Sequence, residues 1–306
     1  MVDVGCNIGR LRLSNPTILA SGVMGTDRAS LVNVVKSGAG AVTVKSITLE
    51  PRKGHNNPTM VEVEGGWLNA MGHCNMGLEN AKKEFTDLAG VGAPVMASIV
   101  SEDAKGFAHL ASALQGMGFS AVEAVLSCPH TPGLGLLAGH GTPEATREIA
   151  EAVKKASKIP VSIKLSPNTQ NLGEVARAAV AGGADIINMG NTHGPGMVID
   201  IDSAKPVLDF KVGGMSGPSV KAITVRCIYD VYEATGGKIP IIGTGGVTTG
   251  ADAVEFMMAG ASAVGVGTAV YYRGLDVFSK ITSELIKIMD DKGVKKTKDF
   301  VGVAHG

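Results

Sequence analysis

Apolar residues fall along this chain in short unbroken runs, at 17–21, 41–45, 95–99, 121–126, 161–165, 186–189, 239–243 and 263–266. Most do not alternate strictly with polar residues, which is how strands covered on both faces read. Between them the spacing becomes helical, at 29–37, 78–88, 103–116, 143–157, 172–181, 218–234, 249–258 and 275–289. Eight strands, each followed by a helix, predict a (β/α)8 TIM barrel of the α/β class, with a doubly wound open sheet as the alternative. Four helices run into a similar small-residue joint: Ser37-Gly38-Ala39-Gly40, Met117-Gly118-Phe119-Ser120, Ala181-Gly182-Gly183-Ala184 and Ala259-Gly260-Ala261-Ser262. Glycine there supplies the left-handed cap that stops a helix and turns the chain into the next strand. That joint speaks for fold, not for function.

Two connections are too long for a plain barrel. Residues 46–75 and 191–217 separate a strand from its helix, and extended βα loops of that kind over the C-terminal mouth are expected to be lids or binding loops. No composition shift divides the chain, so 1–306 reads as a single domain. Its 306 residues are 44% hydrophobic with 42 glycines and a formal net charge of 0. Neutral charge, without basic runs interleaved with aromatics, argues against nucleic acid and anionic membrane as partners. The basic stretch 292–298 reads as a solvated face. The first residues lack the pattern of a signal peptide, and no window has the roughly 18–20 apolar residues of a membrane span. Cys6, Cys74, Cys128 and Cys227 show no CxxC spacing, so neither disulfides nor a structural metal site is expected. A cytoplasmic protein with free thiols is the reading.

In a barrel the carboxyl ends of all strands face one cavity, so the residues there are the candidates for chemistry. They are Ser21-Gly22, Lys45-Ser46, Ser98, Ser127-Cys128, Lys164, Asn191-Thr192, Gly245-Gly246 and Gly267-Thr268. Lys45 and Lys164 end apolar strands and must either reach water or meet a negative charge; together they suit an anionic or electron-rich ligand. Glycine pairs after the seventh and eighth strands stand where barrels bind phosphate through backbone N–H groups. Cys128 follows a strand and precedes Pro129, which fixes a stiff turn. A thiol with a reference pKa of about 8.5 needs only modest tuning to serve as a base near neutrality.

In order along the chain, Asn15-Pro16, Ala20-Ser21-Gly22, Lys45-Ser46 with Leu49-Glu50-Pro51-Arg52, Leu68-Asn69-Ala70-Met71-Gly72, Lys164–Asn168, Asn191-Thr192, Gly214–Pro218 and Ile241–Gly246 resemble the dihydroorotate dehydrogenase family of FMN-containing barrels. The resemblance runs almost end to end. It implies FMN over the barrel mouth, with its phosphate on Gly245, Gly246, Gly267 and Thr268. Ser21, Gly22, Lys45, Ser46, Ser98, Lys164 and Gly217 would contact the ring system and ribityl chain. Cys128 would be the catalytic base, with Lys45 beside it in the catalytic set. Asn69, Met71, Gly72, His73, Asn191 and Thr192 would hold the substrate. The implied reaction is oxidation of dihydroorotate to orotate in pyrimidine biosynthesis. A cysteine base, Glu50-Pro51-Arg52 and the stretch Gly65–Gly72 resemble most the branch that pairs with an iron–sulfur/FAD electron-transfer subunit, in a homo-oligomeric assembly without membrane attachment.

The chain also departs from the family pattern. Around the cysteine the family reads Asn-Leu-Ser-Cys-Pro-Asn, whereas here Val125-Leu126-Ser127-Cys128-Pro129-His130 stands. Ser98 stands where an asparagine is expected, and His73 replaces an apolar residue. His73, His130 and His193 therefore fall on three loops of one mouth. They read as solvated loop histidines, as the mark of a different substrate, or, with Cys74 or Cys128, as metal ligands without local ligand spacing. Other readings of the whole remain: a paralogous flavin oxidoreductase acting on another cyclic C=C compound, a phosphate-binding barrel lyase or isomerase without flavin, and a non-catalytic flavin-binding subunit.

Overall fold

The computed structural model describes residues 2–126, 141–169 and 171–306. Eight parallel strands close a barrel: β1 (Thr17–Leu19), β2 (Ala41–Thr43), β3 (Val95–Ile99), β4 (Ala121–Val125), β5 (Val161–Leu165), β6 (Ile186–Met189), β7 (Ile241–Thr244) and β8 (Ala263–Val266). Each pairs with its neighbours in sequence, and β8 returns to β1 through Gly265 opposite Ile18. That closure excludes the open doubly wound sheet. Every residue of these strands is buried, which is why their runs are largely apolar.

The helices on the outside are α1 (Arg28–Lys36), α2 (Leu78–Glu84), α3 (Ala104–Ala113), α4 (Pro143–Ala156), α5 (Leu172–Ala181), α6 (Lys221–Thr235), α7 (Gly250–Met258), α8 (Ala269–Arg273) and α9 (Val277–Lys292). Side chains of Asp27, Asp103, Thr142 and Thr249 cap four of them. Three of the expected helices need correction. The 78–88 pattern breaks into α2 and a 3-10 turn, Leu88–Val91; the one at 218–234 opens on a 3-10 turn, Pro218–Val220; and the short α8 precedes the last helix. Pro240 has no N–H to give, and β7 begins after it. At all four joints a glycine does take the left-handed conformation: φ is 103° at Gly38, 91° at Gly118, 91° at Gly183 and 123° at Gly260.

A hairpin that the sequence reading does not contain, Cys6–Ile8 paired with Leu11–Leu13, packs its Cys6, Ile8 and Leu13 on the barrel's inner residues Ile18, Met96, Ile186 and Ile242. It closes one end. Beside the other end, the two long connections prove to be structured rather than loose. Met60–Val63, Gly66–Asn69, Gly213–Ser216 and His193–Gly196 form one antiparallel four-stranded sheet, with Leu68 opposite Met215 and Ser216 opposite Trp67. Its own apolar cluster of Leu68, Ala70 and Leu208 anchors it. Among the described residues, no helix is long and apolar enough to cross a membrane.

Candidate active site

A cavity of about 580 Å³ opens between the carboxyl ends of the barrel strands and this sheet. Ser21 and Gly22 reach it from β1, Lys45 and Ser46 from β2, Val125 from β4, Lys164 from β5, and Asn191 and Thr192 from β6. Gly245 and Gly246 follow β7, and Gly267 and Thr268 follow β8. The sheet and the turn after it supply Asn69, Met71, Gly72, His73 and Gly217. Residues picked for their place at strand ends thus share one wall-to-wall space.

Two expected members are not there to be counted. Cys128, together with Ser127 and His130, lies outside the described residues. Ser98, expected in the cofactor set, is not among the residues that line the cavity. Ladder bonds run past it, with Ile47 N–H donating to the Ser98 carbonyl and Val100 N–H to that of Ile47, so it sits a layer below the rim. There its hydroxyl is fully buried, 2.9 Å from the Ser46 Oγ, which in turn lies 3.2 Å from the Ser21 Oγ.

The glycine pair after β7 is shaped for a close approach. Gly245 and Gly246 have φ of 126° and 93°, and a Cβ on Gly246 would stand 2.7 Å from the Cα of Lys221. Lys221 cannot give way easily, because its ammonium bonds Asp252 and Glu255 at 2.9 Å each. Asp252 also accepts the backbone N–H groups of Thr248 and Thr249, so the start of α7 is satisfied from within. Arg273, paired with Glu284 at 2.6 Å, donates to the Thr248 carbonyl and ties α8 to the same loop. A rim of backbone with no side chains, pinned from behind, is what an oxyanion group such as a phosphate requires.

The two lysines differ in depth. Lys45 lines the cavity half-buried. Lys164 is buried, with its ammonium 3.8 Å from the carboxylate of Glu123, itself inside the barrel. Of the two fates open to this lysine, it meets a negative charge. His73 takes φ of 55°, and its carbonyl accepts a hydrogen bond from the Asn75 side chain at 2.7 Å. Burial, and after it the charges of Lys45 and Arg52, push its imidazole down to about 4, so it is neutral at pH 7. Burial likewise lowers His193. Among the described residues no three His, Cys, Asp or Glu side chains group as metal ligands do. Cys6 and Cys227 are pushed up by burial to about 12 and about 11, as inert core thiols are.

Sequence reasoning missed the rest of the wall. Trp67 and Tyr271 meet edge to face at 4.7 Å between ring centres, and both line the cavity along with Met215, Thr244 and Thr248. Trp67 comes from a sheet strand that no local pattern announces, and Tyr271 from α8.

Known proteins match this architecture along the whole chain. A family model described as dihydroorotate dehydrogenase matches residues 4–289. The "Dihydroorotate dehydrogenase B (NAD(+)), catalytic subunit" of Methanocella arvoryzae is 43% identical over 304 residues, 99% of this chain and 98% of that protein. The protein of the same name from Methanothermobacter thermautotrophicus is 44% identical over 301 residues, covering 98% and 97%. In fold, the chain is similar to the crystal structure of DHODH from Eimeria tenella in complex with ferulenol, with a TM-score of 0.86 at 24% identity, over 99% of this chain and 89% of that one.

Proposed function

The chain belongs to the dihydroorotate dehydrogenase family, and on that premise we propose that it oxidises dihydroorotate to orotate at the barrel mouth, as the catalytic subunit of an NAD-linked enzyme of pyrimidine biosynthesis. FMN is the cofactor of this family, and when bound it supplies the hydride acceptor. The residues present fit it: a cavity of about 580 Å³ is in the range of cofactor sites, with a Gly245–Gly246 rim that a Cβ would fill. Gly245, Gly246, Gly267 and Thr268 hold the phosphate in this reading. Ser21, Gly22, Ser46 and Gly217 line the remainder of the cofactor, and Lys45 and Lys164 face its ring system with positive charge.

Asn69, Met71, Gly72, Asn191 and Thr192 orient the pyrimidine and its carboxylate beside that ring. Cys128, as thiolate, takes the proton from the substrate carbon adjacent to the one that loses hydride. The apolar wall of Trp67, Met215 and Val125 excludes water from the exchange. With FMN held by these residues, the Cys128 sulfur would take one proton from the substrate and the cofactor would supply the acceptor for the hydride, for passage of electrons to an electron-transfer subunit. The observation that carries this reading is the convergence of two lysines, the Gly245–Gly246 and Gly267–Thr268 loops and the Asn69 and Asn191 loops on one cavity.

Val125 favours a second reading. It lines the cavity where the family pattern has an asparagine, so a pyrimidine amide facing it would lose a partner, at a cost of about 1–3 kcal/mol. A related cyclic compound without that amide would not. The test for both is the visible spectrum of the anaerobic protein before and after addition of millimolar dihydroorotate. Bleaching of the flavin band supports dihydroorotate; a yellow protein that stays yellow supports the second substrate; a colourless one defeats the flavin assignment.

A further inference from the structure

We propose that Glu123 is a positioning residue that holds the Lys164 ammonium at the cavity and, through that lysine's charge, sets the reduction potential of the flavin. The inference rests on Lys164 facing the ring system, as assigned above. Glu123 lies inside the barrel with its side chain 1% exposed, and Lys164 is 5% exposed. A carboxylate so far from water is costly unless paired and hydrogen-bonded, and an apolar residue of similar volume would serve packing at least as well. Yet four strands are arranged around it. The Asn188 amide of β6 donates to Oε2 at 2.5 Å, and the Thr244 hydroxyl of β7 donates to the Asn188 carbonyl oxygen at 2.8 Å. Thr244 has room because β8 offers Gly265, where a Cβ would stand 2.0 Å from its Oγ1. Oε1 has no hydrogen-bond partner and faces the Lys164 Nζ of β5 at 3.8 Å. The relay fixes the carboxylate and leaves one oxygen for the lysine.

The electrostatic consequence has a definite sign. Lys164 lines the cavity, whereas Glu123 lies behind it. A ring system that gains negative charge on reduction therefore meets a cation already balanced from the rear. Reduction is stabilised less than a lone lysine would stabilise it, and the potential stays low enough to pass electrons onward. Removing the carboxylate charge raises the potential.

The test is the two-electron midpoint potential of the FMN-loaded protein, equilibrated enzymatically against a reference dye. Glu123→Gln keeps the shape and the Asn188 contact, and is expected to favour the reduced form at least tenfold, about 30 mV for a two-electron couple. Lys164→Gln shifts it the other way, and in that background Glu123→Gln moves it less than threefold. Should Glu123→Gln not fold, Glu123→Asp, which draws the charge back by one carbon, raises the potential by a smaller amount of the same sign. An unchanged or lowered potential in whichever variant folds overturns the inference, as does an equal rise with Lys164 absent. If Lys164→Gln itself leaves the potential unmoved, the placement of Lys164 at the ring fails instead; a protein without flavin fails the functional reading.

Discussion

Gly246→Ala tests whether the bare rim after β7 is a built feature of the site. The backbone there has φ of 93°, a region that costs an L side chain about 1–2 kcal/mol. The added Cβ would lie 2.7 Å from both the Cα and the Cβ of Lys221 and 2.8 Å from its nitrogen. Those atoms belong to the first turn of α6, and the Lys221 ammonium is held by two carboxylates, so relief must come from the glycine loop itself. Forcing a methyl into such packing costs about 1–3 kcal/mol more. A total of about 2–5 kcal/mol can be spent in two ways. If the loop holds its shape, the melting temperature falls by roughly 3 °C or more. If the loop moves, the strain appears in FMN binding, weakened roughly 30-fold or more. Thermal melts of the flavin-free protein and fluorescence titration with FMN read both. Gly116→Ala is the control, since Gly116 also has a positive φ, 77°, but a Cβ there meets nothing within 4 Å. It bears the backbone cost alone and leaves FMN affinity unchanged. A Gly246→Ala protein with normal melting and FMN affinity within threefold of the parent would refute the reasoning.

Further outcomes follow from the same geometry. His73 titrates at about 4 in the folded chain against 6.5 when unfolded, because burial and then Lys45 and Arg52 oppose its charge. With the folded pKa depressed, the unfolded chain binds the extra proton first, so this contribution is complete above pH 6.5 and is lost as pH falls toward 4, by on the order of 3 kcal/mol. Urea unfolding at pH 7 and pH 4.5 should show a smaller acid loss in His73→Leu; equal losses would remove His73 as the cause. Cys128→Ala should keep its yellow colour while substrate-driven bleaching slows by about 10²–10⁴-fold, and stopped-flow absorbance decides whether it does. Val125→Asn should tighten dihydroorotate binding roughly 5- to 150-fold if that is the substrate, measured as KM; a looser KM speaks for a ligand without the amide.

The barrel was legible because each strand has helices on one side and a core on the other, so its residues are mostly apolar. The strands at 161–165, 186–189 and 263–266 end where their apolar runs end. Strand-end residues then followed from topology, since parallel strands deliver their last residues together. Ser98 lies below the rim because β3 continues pairing beyond it, through Ile47 and Val100, and depth along a strand leaves no mark in composition. The four-stranded sheet was illegible for another reason. Its strands include His-Gly-Pro-Gly and Gly-Gly-Met-Ser, too short and too rich in glycine to alternate, and their partners are distant in sequence. Glu123 was hidden inside an apolar run: nothing near it in the chain names Lys164, one strand away, as its counter-charge.

That sheet also dictates an order of events during synthesis. The Ser216 hydroxyl donates to the Trp67 carbonyl from 149 residues downstream, and the neighbouring ladder spans a like distance. At the usual pace of translation, roughly 7–30 s pass between the emergence of one edge and the other. Through that interval Met60–Val63 and Gly66–Asn69 have only each other to pair with, and the Gly245 and Gly267 loops are not yet made. A nascent chain therefore lacks both loops of the proposed phosphate rim until its final fifth has left the ribosome, so on that reading the complete site for the prosthetic group forms only late.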